Sequence, residues 1–374
     1  MYSAEPEPWP EPVDGAELLD ALVATFRRYL SIPEVAAETL ALWVVFTHAI
    51  DASAVAPRLA ILSPTPRCGK TTLLALLARL VRVPLPASNA TSAAVFRVID
   101  RDRPTLLIDE ADTFFLGRSE LIGIINSGHA RDTAYVVRTV VVDDTHEPRS
   151  FRTYAAIAIA KIGKLPAALH DRSIVVHMQR KHRDAELHRF RQDRVEDLLQ
   201  LKRKTARWAN DHLTMLNDAD PDIPEVLNDR AADNWRTMLA IADTAGGHWP
   251  VTARRVATLI SGDEEDTTSL PAQLLQDIEE IFAERGSDRL SSAEICRELA
   301  RREDRPWGTF EDGFTISTHR LASMLKPFGI RLKVMRTNGE TGTPRGYMRD
   351  QFEDAWARYP PKPKHRNKTI ISMV

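Results

Sequence analysis

The spacing of hydrophobic positions changes twice along the chain. Between residues 15 and 50 the apolar residues recur at helical intervals, as at Leu18, Leu22 and Phe26, and predict two helices. From about residue 58, short apolar runs alternate with segments of helical periodicity. The predicted strands are 58–62, 105–108, 134–142, 154–160 and 173–177, and the predicted helices between them are 73–81, 91–99 and 119–126. Such alternation predicts an α/β domain with a largely parallel sheet.

The pattern also divides the chain into segments. The acidic, proline-rich residues 1–14 predict a disordered arm, and residues 15–183 predict the α/β core with its N-terminal helices. Helical periodicity over 184–262 predicts a helical lid, which ends at an acidic linker. Residues 268–360 are expected to form a separate unit, in which helices are followed by strands. The tail, 361–374, carries four Lys or Arg and no acidic residue.

Length, charge and cysteine content narrow the class of protein. A chain of 374 residues predicts two or three domains. Because the formal net charge is only -2, nucleic-acid binding requires a local basic patch. The two cysteines, Cys68 and Cys296, offer neither a disulfide framework nor zinc-ligand spacing, which favours a reducing compartment. The sequence has no long apolar run and no signal-peptide pattern, so we expect a cytoplasmic protein without a membrane span.

Residues 61–74, ILSPTPRCGKTTLL, have the context of a phosphate-binding loop, namely an apolar strand, a short loop and a helix. Gly69 lets the backbone approach a phosphate, Lys70 would reach the terminal phosphates, and Thr71 would hold Mg²⁺. However, Pro64 stands where the motif G-x-x-x-x-G-K-[ST] has its first glycine, and proline can neither adopt a positive φ nor donate an N–H. Taken alone, the stretch fits a proline-rich turn before a helix equally well.

A second motif, PTLLIDEAD at 104–112, is an apolar strand that ends in two carboxylates. Asp109 would position Mg²⁺ through water, and Glu110 would orient or activate the attacking water. Lys70 and Asp109 are 39 positions apart, which leaves room for a helix, a strand and another helix. This is the spacing of adjacent strands in an additional-strand P-loop ATPase. The two motifs together predict a site for ATP and Mg²⁺.

A third segment, KIGKLPAALHDRSIVVHM at 161–178, places Arg172 between a short predicted helix and a strand. In the AAA+ class an arginine at this point reaches the γ-phosphate bound by the neighbouring subunit and stabilises transition-state charge. A surface arginine before a strand is the alternative. The polar sensor residue expected at the end of the preceding strand is missing, and Lys161 is the nearest polar candidate.

Six motifs occur in order: S-P-x-x-x-C-G-K-T, LPASNATSAAVFRVID, RPTLLIDEADTF, NSGHAR, LPAALHDRSIVV and NDRAADNWRTMLAIADTAGGHWP. On these motifs, residues 15–350 resemble a domain of unknown function found in phage, plasmid and integrated-element proteins, often beside primase or helicase modules. The resemblance implies an AAA+-like ATPase that takes part in replication or another DNA transaction. In that family Ser63-Pro64 replaces the first glycine, so Pro64 does not exclude nucleotide binding.

The resemblance also implies a lid arginine that touches nucleotide, which is Arg230 or Arg236. The alternative for both is a salt bridge within the domain. The residues expected to contact the nucleotide are Ser63, Thr65, Arg67, Cys68, Gly69, Lys70, Thr71, Thr72, Arg230 and Arg236. Cys68 has no readable base near it, so we expect a small loop side chain and no nucleophile. His129 could sense nucleotide state across a subunit interface or simply form a local hydrogen bond.

The C-terminal unit has the element order of a winged helix. Residues 291–299 and 317–327 predict two serine-capped helices, and GIRLKVMRTNGETGTPRGYMR predicts two strands joined by a Gly-rich loop. Basic residues concentrate on the second helix and the hairpin, which favours contact with a DNA backbone. The candidate DNA contacts are His319, Arg320, Lys326, Arg331, Lys333, Arg336 and Arg345. Winged helices also dock proteins, so protein binding is the alternative.

A second DNA-binding candidate lies in the core, where residues 140–153, VVVDDTHEPRSFRT, predict a hairpin. In some AAA+ helicases such a hairpin projects into the central pore and grips the strand. Arg149 and Arg152 are the candidate contacts, although Asp143, Asp144 and Glu147 in the same loop weaken the prediction.

These patterns predict a Mg²⁺-dependent, AAA+-like P-loop ATPase with a helical lid and a C-terminal winged helix that acts on DNA. An Arg172 that acts in trans implies a ring, expected to be a homo-hexamer. The specific hypothesis is a replicative or primase-associated helicase of a phage or mobile element, with a primase as a candidate partner. A loader or regulatory switch that remodels a protein without unwinding DNA is the alternative. A DNA-binding adaptor with a degenerate pocket is a third reading, against which the intact Lys-Thr and Asp-Glu pairs argue.

Overall fold

The structure is a computed structural model that describes residues 5–87, 90–109, 111, 119–142, 145–181, 186–191, 193, 195–262, 270–302, 305–310, 314–334 and 345–358. The chain divides into two compact units, residues 1–264 and 265–374. Each unit has its own hydrophobic core.

The first unit combines helices with a parallel sheet. Its described helices are α1 (Gly15–Tyr29), α2 (Glu34–His48), α3 (Lys70–Leu80), α4 (Ser92–Asp102), α5 (Ser119–Ser127), α6 (Ala167–His170), α7 (Glu196–Asp218), α8 (Asp229–Ala245) and α9 (Trp249–Gly262). Its strands are β1 (Arg58–Ser63), β2 (Pro84–Pro86), β3 (Thr105–Ile108), β4 (Tyr135–Val142), β5 (Thr145–Arg152), β6 (Ile157–Ile162) and β7 (Ser173–His177).

Local chemistry sets several helix starts. The side chains of Asp14, Thr91 and Asn228 accept hydrogen bonds from main-chain N–H groups in the first turns of α1, α4 and α8. In α1 the apolar residues fall on one stripe, and all of Leu18, Leu22 and Phe26 are buried. By contrast, every residue of α2 from 36 to 48 is buried, so this helix lies inside the unit, as its uniformly apolar sequence requires.

The five-stranded sheet has the order β2-β3-β6-β1-β7, and all its strands are parallel. Successive side chains of β1 alternate between two cores. Leu59 and Ile61 face the core that contains α1, α2, α3 and α7–α9, whereas Ala60 and Leu62 face the core with α4 and α5. Helices therefore cover both faces of the sheet, and the predicted α/β architecture with a parallel sheet is confirmed for this unit.

The strand predicted at 134–142 lies outside that sheet. β4 and β5 form an antiparallel hairpin of their own, with Tyr135 opposite Arg152 and Val142 opposite Thr145. The N–H of Thr153 donates to the carbonyl of Ala134 at 2.8 Å and closes the base of the hairpin. The predicted hairpin at 140–153 is thus part of a longer one, and the acidic pair at 143–144 lies outside the described residues.

Helices α7, α8 and α9 belong to the same core as α1 and α2, and Trp208, Trp235 and Trp249 are buried in it. Helix was predicted from residue 184, but α7 begins at Glu196. The described residues 186–191 instead run as an irregular segment over the end of α1, where the N–H of His188 donates to the carbonyl of Arg28 at 3.0 Å.

The N-terminal segment differs from the disordered arm that its composition predicts. In its described part, residues 5–14, the N–H of Trp9 donates to the carbonyl of Arg203 in α7 at 3.0 Å. The side chains of Arg203 and Arg207 donate in turn to its main-chain carbonyls. Prolines remove main-chain donors but leave every carbonyl free to accept, so a partner rich in arginine can hold such a segment.

The second unit has the described elements α10 (Leu270–Arg285), β8 (Arg289–Ser291), α11 (Ser292–Ala300), α12 (Thr318–Leu325), β9 (Lys333–Val334), β10 (Arg345–Met348) and α13 (Glu353–Arg358). The strands form an antiparallel sheet in the order β8-β10-β9. Its core contains Phe282, Trp307 and Tyr347. The Asp277 carboxylate is fully buried there and accepts from Trp307 Nε1 at 2.6 Å and Arg305 Nε at 3.0 Å.

Candidate functional site

The loop between β1 and α3 has an unusual backbone. Gly69, the residue before α3, has φ 87°, and Arg67 has φ 65°. A side chain at residue 69 would be strained at this φ, which explains the glycine. The first turn of a helix leaves its main-chain N–H groups without intrahelical partners, and the helix dipole favours an anion there. The loop therefore ends at a helix N-terminus suited to a phosphate group.

Short hydrogen bonds shape the loop from within. Ser63 Oγ donates to the carbonyl of Thr65 at 2.9 Å, and Cys68 Sγ lies 3.2 Å from the same oxygen. Cys68 is buried beneath the loop, whereas residues 64–67 are exposed. The cysteine thus packs as a small side chain that supports the turn, as the sequence suggested.

Lys70 reaches back across the loop. Its ammonium group donates to Ser63 Oγ at 2.6 Å. The lysine and the start of the loop are seven residues apart in sequence, so this bond fixes the loop as a closed turn.

Thr71 and Asp109 meet at the carboxyl edge of the sheet. Thr71 Oγ1 donates to Asp109 Oδ2 at 3.2 Å. Asp109 directly follows β3, and the loop directly follows β1, with β6 between the two strands. The carboxyl ends of parallel strands share one edge, so the two motifs come together for that reason. Glu110, the other predicted carboxylate, lies outside the described residues.

These groups fit the chemistry of Mg²⁺. Among the described residues, no group of three or more His, Cys, Asp or Glu is placed to hold a metal on its own. Mg²⁺ bound with a nucleotide does not need such a group, because it takes one or two carboxylates or hydroxyls and completes its shell with phosphate and water. The Thr71 hydroxyl and Asp109 carboxylate are such a set. A cavity of about 420 Å³ borders both residues on the β2 side.

A larger cavity, of about 590 Å³, lies on the other side of the loop. Its walls include Leu30, Cys68, Gly69, Thr72, Met178 and Phe190. Tyr29 and Phe190 close one end with their rings edge to face, 5.6 Å apart. The volume is in the range of small-molecule sites, and the lining is divided about evenly between apolar residues and polar or charged ones.

Sequence analysis missed the cationic segment that borders this cavity. Lys181, His188 and Arg189 line it, and Arg180 Nε donates to the carbonyl of Pro66 in the loop at 3.4 Å. His188 and Arg189 fall in the segment predicted as helical, 184–262, whereas Arg180 and Lys181 lie between the last predicted strand and that segment. The signal that could have located them is the position of 178–190 directly after β7, at the same edge of the sheet as the loop.

Arg172 lies at the opposite edge of the sheet. Its carbonyl accepts from the N–H of Arg58, the first residue of β1, whereas the loop of residues 64–69 follows the last residue of that strand. The length of β1 separates the two by roughly 17 Å, at about 3.3 Å per residue. Arg172 Nη1 donates to the carbonyl of Ala168 at 2.7 Å. The structure therefore does not bring Arg172 to the loop of its own chain.

Arg230 and Arg236 also lie away from the loop, which corrects their predicted contact with the nucleotide of their own chain. Arg230 Nε is 3.1 Å from an oxygen of Asp171, next to Arg172. Arg236 donates to Asp220 at 2.9 Å and lines a cavity of about 430 Å³ with Asp51. Helix α8 packs near the amino ends of the strands, so its arginines cannot reach the carboxyl edge.

His129 is buried and forms a local hydrogen bond, which is the second of the two roles that its sequence context allows. Its Nε2 donates to Asn234 Oδ1 at 2.8 Å, and Asn234 Nδ2 donates to the carbonyl of Asp171 at 3.3 Å. This junction links the loop after α5, helix α8 and the turn that carries Arg172. Burial, followed by the nearby Arg58 charge, lowers the pKa of His129 to about 4, so the imidazole is neutral at pH 7.

Arg58 completes the junction. Its guanidinium is fully buried and donates to the carbonyls of Ala56, Ile125 and Ala155 at 2.6–2.9 Å. Burial lowers the pKa of Arg58 to about 9. Within the described residues its Nε has no hydrogen-bond partner.

The two arginines of the hairpin have different surroundings. Arg149 lies on the face that packs on the core, with its Cζ 5.1 Å from the ring centre of Phe151. The N–H of Arg152 donates to Asp100 Oδ1 at 3.0 Å. On the outer face of the hairpin, Tyr135, Val137 and Val141 are exposed.

In the second unit, the described candidates for DNA contact are all exposed. His319 and Arg320 are in the first turn of α12, Lys326 follows this helix, and Lys333 is in β9. Arg331 and Arg345 flank the same hairpin, whose tip, with Arg336, lies outside the described residues. Arg320 lies over the ring of Phe310, with its Cζ 5.9 Å from the ring centre.

Comparison with known proteins adds limited evidence. The family described as "Protein of unknown function (DUF3631)" matches residues 177–359, slightly less than half of the chain, and this range does not include the loop of residues 64–69. The chain is 36% identical over 181 residues to an "Uncharacterized 28.9 kDa protein in xis 5'region" of Saccharopolyspora erythraea. The alignment covers 48% of this chain and 66% of that relative, just under two thirds of its length.

Solved structures offer only weak likenesses. Two apo structures of the C-terminal region of NrS-1 have TM-scores of 0.44 and 0.41, at 13% and 12% identity, over 91% of this chain and 79% and 76% of theirs. Inhibitor-bound JCV helicase has a TM-score of 0.27, at 14% identity, over 69% of this chain and 62% of that chain. At TM-scores below 0.5 these likenesses carry no argument about fold or function.

Among the described helices, none is long and apolar enough to cross a bilayer.

Proposed function

We propose that the protein is a Mg²⁺-dependent ATPase that acts on DNA. The observation that carries the proposal is the meeting of Lys70, Thr71 and Asp109 at the carboxyl edge of one parallel sheet, around a glycine-capped helix N-terminus. The hydroxyl, carboxylate, ammonium and main-chain N–H groups there match the groups that a nucleoside triphosphate and its metal require.

Each residue has a distinct role in this proposal. The N–H groups at the start of α3 and the Lys70 ammonium bind phosphate oxygens, and Lys70 exchanges its Ser63 partner for them. Thr71 and Asp109 hold the metal, directly or through water. Bound Mg²⁺ would supply charge neutralisation at the phosphates. Glu110 would orient or activate the attacking water, and the cavity beside Gly69 and Phe190 would take the nucleoside.

The position of Arg172 supports an action between subunits. An arginine roughly 17 Å from its own loop can serve a phosphate only on another copy of the chain. We therefore propose a ring, with a homo-hexamer as the specific hypothesis. Helix α8 would hold the Arg172 turn through Arg230 and Asn234, instead of touching the nucleotide of its own chain.

DNA contact is assigned to two surfaces. In the second unit the order helix, strand, helix, helix, strand, strand supports a winged helix, and its exposed cations favour the phosphate backbone. In the first unit, the hairpin of β4 and β5 is the candidate that would touch a strand in a central pore. The relative named for the xis 5' region is in keeping with a mobile element. Within this class we propose a replicative or primase-associated helicase, with a primase as a possible partner.

ATP hydrolysis tests the proposal directly. We expect turnover that single-stranded DNA stimulates in the wild type, and that falls at least 100-fold in Glu110→Gln and in Asp109→Asn. Glu34→Gln, which changes an exposed carboxylate on α2, is the matched control and should retain the wild-type rate. Absence of hydrolysis by the wild-type oligomer would refute the ATPase proposal. Hydrolysis without strand displacement would favour the loader or switch over the helicase.

A further inference from the structure

The segment EPEPWPEP, residues 5–12, combines acidic side chains, one aromatic ring and a proline at every second position. Alternating prolines keep such a segment extended, since each fixes its own φ and restricts the residue before it. An extended chain with anionic groups and a flat ring has the same kinds of groups as a short single-stranded nucleic acid, which offers phosphates and base faces.

The surface beneath this segment is basic. Arg203, Lys204 and Arg207 of α7 lie there, with Arg82 from the end of α3. Lys202 lies beside them in the sequence but is buried, and burial followed by the Arg79 charge lowers its pKa to about 8. The described carboxylates paired with these cations from the body of the unit are Asp51, with Arg82, and Asp211, with Arg207.

The cations contact the segment through hydrogen bonds, an ion pair and cation–π contacts, which are the interactions that they would make with a nucleic acid strand. Arg203 Nε donates to the carbonyl of Glu7 at 3.0 Å, and its Nη2 lies 3.4 Å from the carboxylate of the same residue. Arg207 Nη1 donates to the carbonyl of Pro10 at 2.9 Å. The Trp9 ring is within 5.5 Å of the Arg203 Cζ and 5.3 Å of the Lys204 Nζ, which are cation–π distances.

The ion pairs that hold residues 5–12 on this basic surface are weak. The side chain of Glu7 is 86% exposed and that of Glu5, the partner of Arg82, is 65% exposed. Ion pairs at such exposure contribute little and are screened by salt. The cations themselves are held firmly, because their helix packs in the core of the unit. A polyanion can therefore displace residues 5–12 and bind to basic residues whose positions on the unit are already fixed.

We propose that the basic face of α7, formed by Arg203, Lys204, Arg207 and Arg82, is a binding site for single-stranded nucleic acid that residues 5–12 occupy in its absence. The strand would place phosphates on the guanidinium groups and a base on the surface where Trp9 lies. This site is distinct from the hairpin and the second unit, and it does not depend on ATP hydrolysis.

The test measures binding of a fluorescein-labelled thymidine 20-mer by the full chain, through anisotropy at several salt concentrations. The variant carries Glu5→Gln, Glu7→Gln and Trp9→Ala together. We expect tighter binding than in the wild type. We also expect a slope of log affinity against log salt that is more negative by about 1.4, because the two cations freed from Glu5 and Glu7, Arg82 and Arg203, each contribute about 0.7 on single strands.

A second set of variants locates the effect. Arg203→Ala with Lys204→Ala, added to the first variant, should remove the gain in affinity. The pair Arg285→Ala with Arg301→Ala, on the second unit, is the matched control and should leave the gain in place. Unchanged affinity and slope in the first variant would overturn the proposal, as would a gain that survives loss of Arg203 and Lys204.

Hydrogen exchange on the wild type gives a readout that does not depend on substitution. The N–H of Trp9 is bonded to the Arg203 carbonyl, so displacement of the segment should speed its exchange when the 20-mer is added. Exchange that the oligonucleotide leaves unchanged at saturation would overturn the proposal. Displacement by a poly-glutamate peptide but not by the oligonucleotide would also overturn it, and would point to a protein partner.

Discussion

Two buried histidines should make the first unit sensitive to mild acid. His48 and His129 are 7% and 6% exposed, and each donates a hydrogen bond, to the carbonyl of Leu80 and to Asn234 respectively. Burial is the main cause that lowers the pKa of His48 to about 3 and of His129 to about 4, from an ordinary 6.5. The groups around His129 add to this effect, since Arg58, Arg172 and Arg230 are all cations.

The sign follows from proton binding. Between pH 6.5 and pH 4 the unfolded histidines take up protons and the folded ones do not, so the free energy of unfolding falls as the pH falls. At pH 5, which is 1.5 units below the ordinary pKa, each histidine lowers it by about 2 kcal/mol. The two together lower it by about 4 kcal/mol, a large part of the stability of a typical domain. Most carboxylates titrate below pH 5, so they add little to the change between pH 7.5 and pH 5.0.

The assay is urea unfolding at pH 7.5 and pH 5.0, read by amide hydrogen exchange in α2 and α8 so that the second unit does not contribute. His129→Gln keeps a donor for Asn234 but has no titrating group, so it should reduce the pH dependence by about 2 kcal/mol. His146→Gln, at an exposed site in β5, is the control and should leave the dependence unchanged. Equal unfolding free energies at both pH values in the wild type would refute the reasoning from burial.

Three further predictions concern single positions. Gly69→Ala should destabilise the first unit by about 1–2 kcal/mol, because residue 69 keeps φ 87°. Gly123→Ala, in open space on α5, should stabilise it by about 0.5–1 kcal/mol. Urea midpoints that move in the same direction in both variants would contradict this. Arg255→Met should cost about 3 kcal/mol in thermal unfolding, since it leaves the buried Glu38 carboxylate without the partner that lies 2.7 Å away, and a Tm unchanged by the substitution would argue against it. Thr71→Ala should weaken binding of a fluorescent ATP analogue about tenfold with Mg²⁺ and much less with EDTA, and equal losses in the two conditions would exclude a metal-ligand role.

The parts of the site that the sequence could predict are those set by local rules. The strand, glycine and helix at 61–74, taken together with the carboxylates at 109–110, predict a phosphate loop without any tertiary information, and the end of β3 predicts where Asp109 lies. The meeting of Thr71 and Asp109 then follows, because carboxyl ends of parallel strands share an edge. Whether this site hydrolyses ATP stays a prediction.

The parts that the sequence could not predict depend on contacts between distant segments. Residues 5–14 have a composition typical of disorder, and the arginines that hold them are about 200 positions away. The position of Arg230 is set by how α8 packs on α1 and α2, which no periodicity reports. The same holds for Phe190, which lies in a segment predicted as helical but contacts α1 at Tyr29. In each case tertiary packing overrides a local pattern.

The pairing of β1 with β7 has a practical consequence for measuring motion. The strands are in parallel register over five residue pairs, from Arg58 with Ser173 to Leu62 with His177, and all these residues except His177 are buried. A spectroscopic label at the exposed Thr65 and another near Ala168 would span this hydrogen-bonded pair from end to end. In the absence of nucleotide their separation should stay constant while other parts of the chain move, which makes it an internal length standard. A change in it would then report partial unfolding of the sheet.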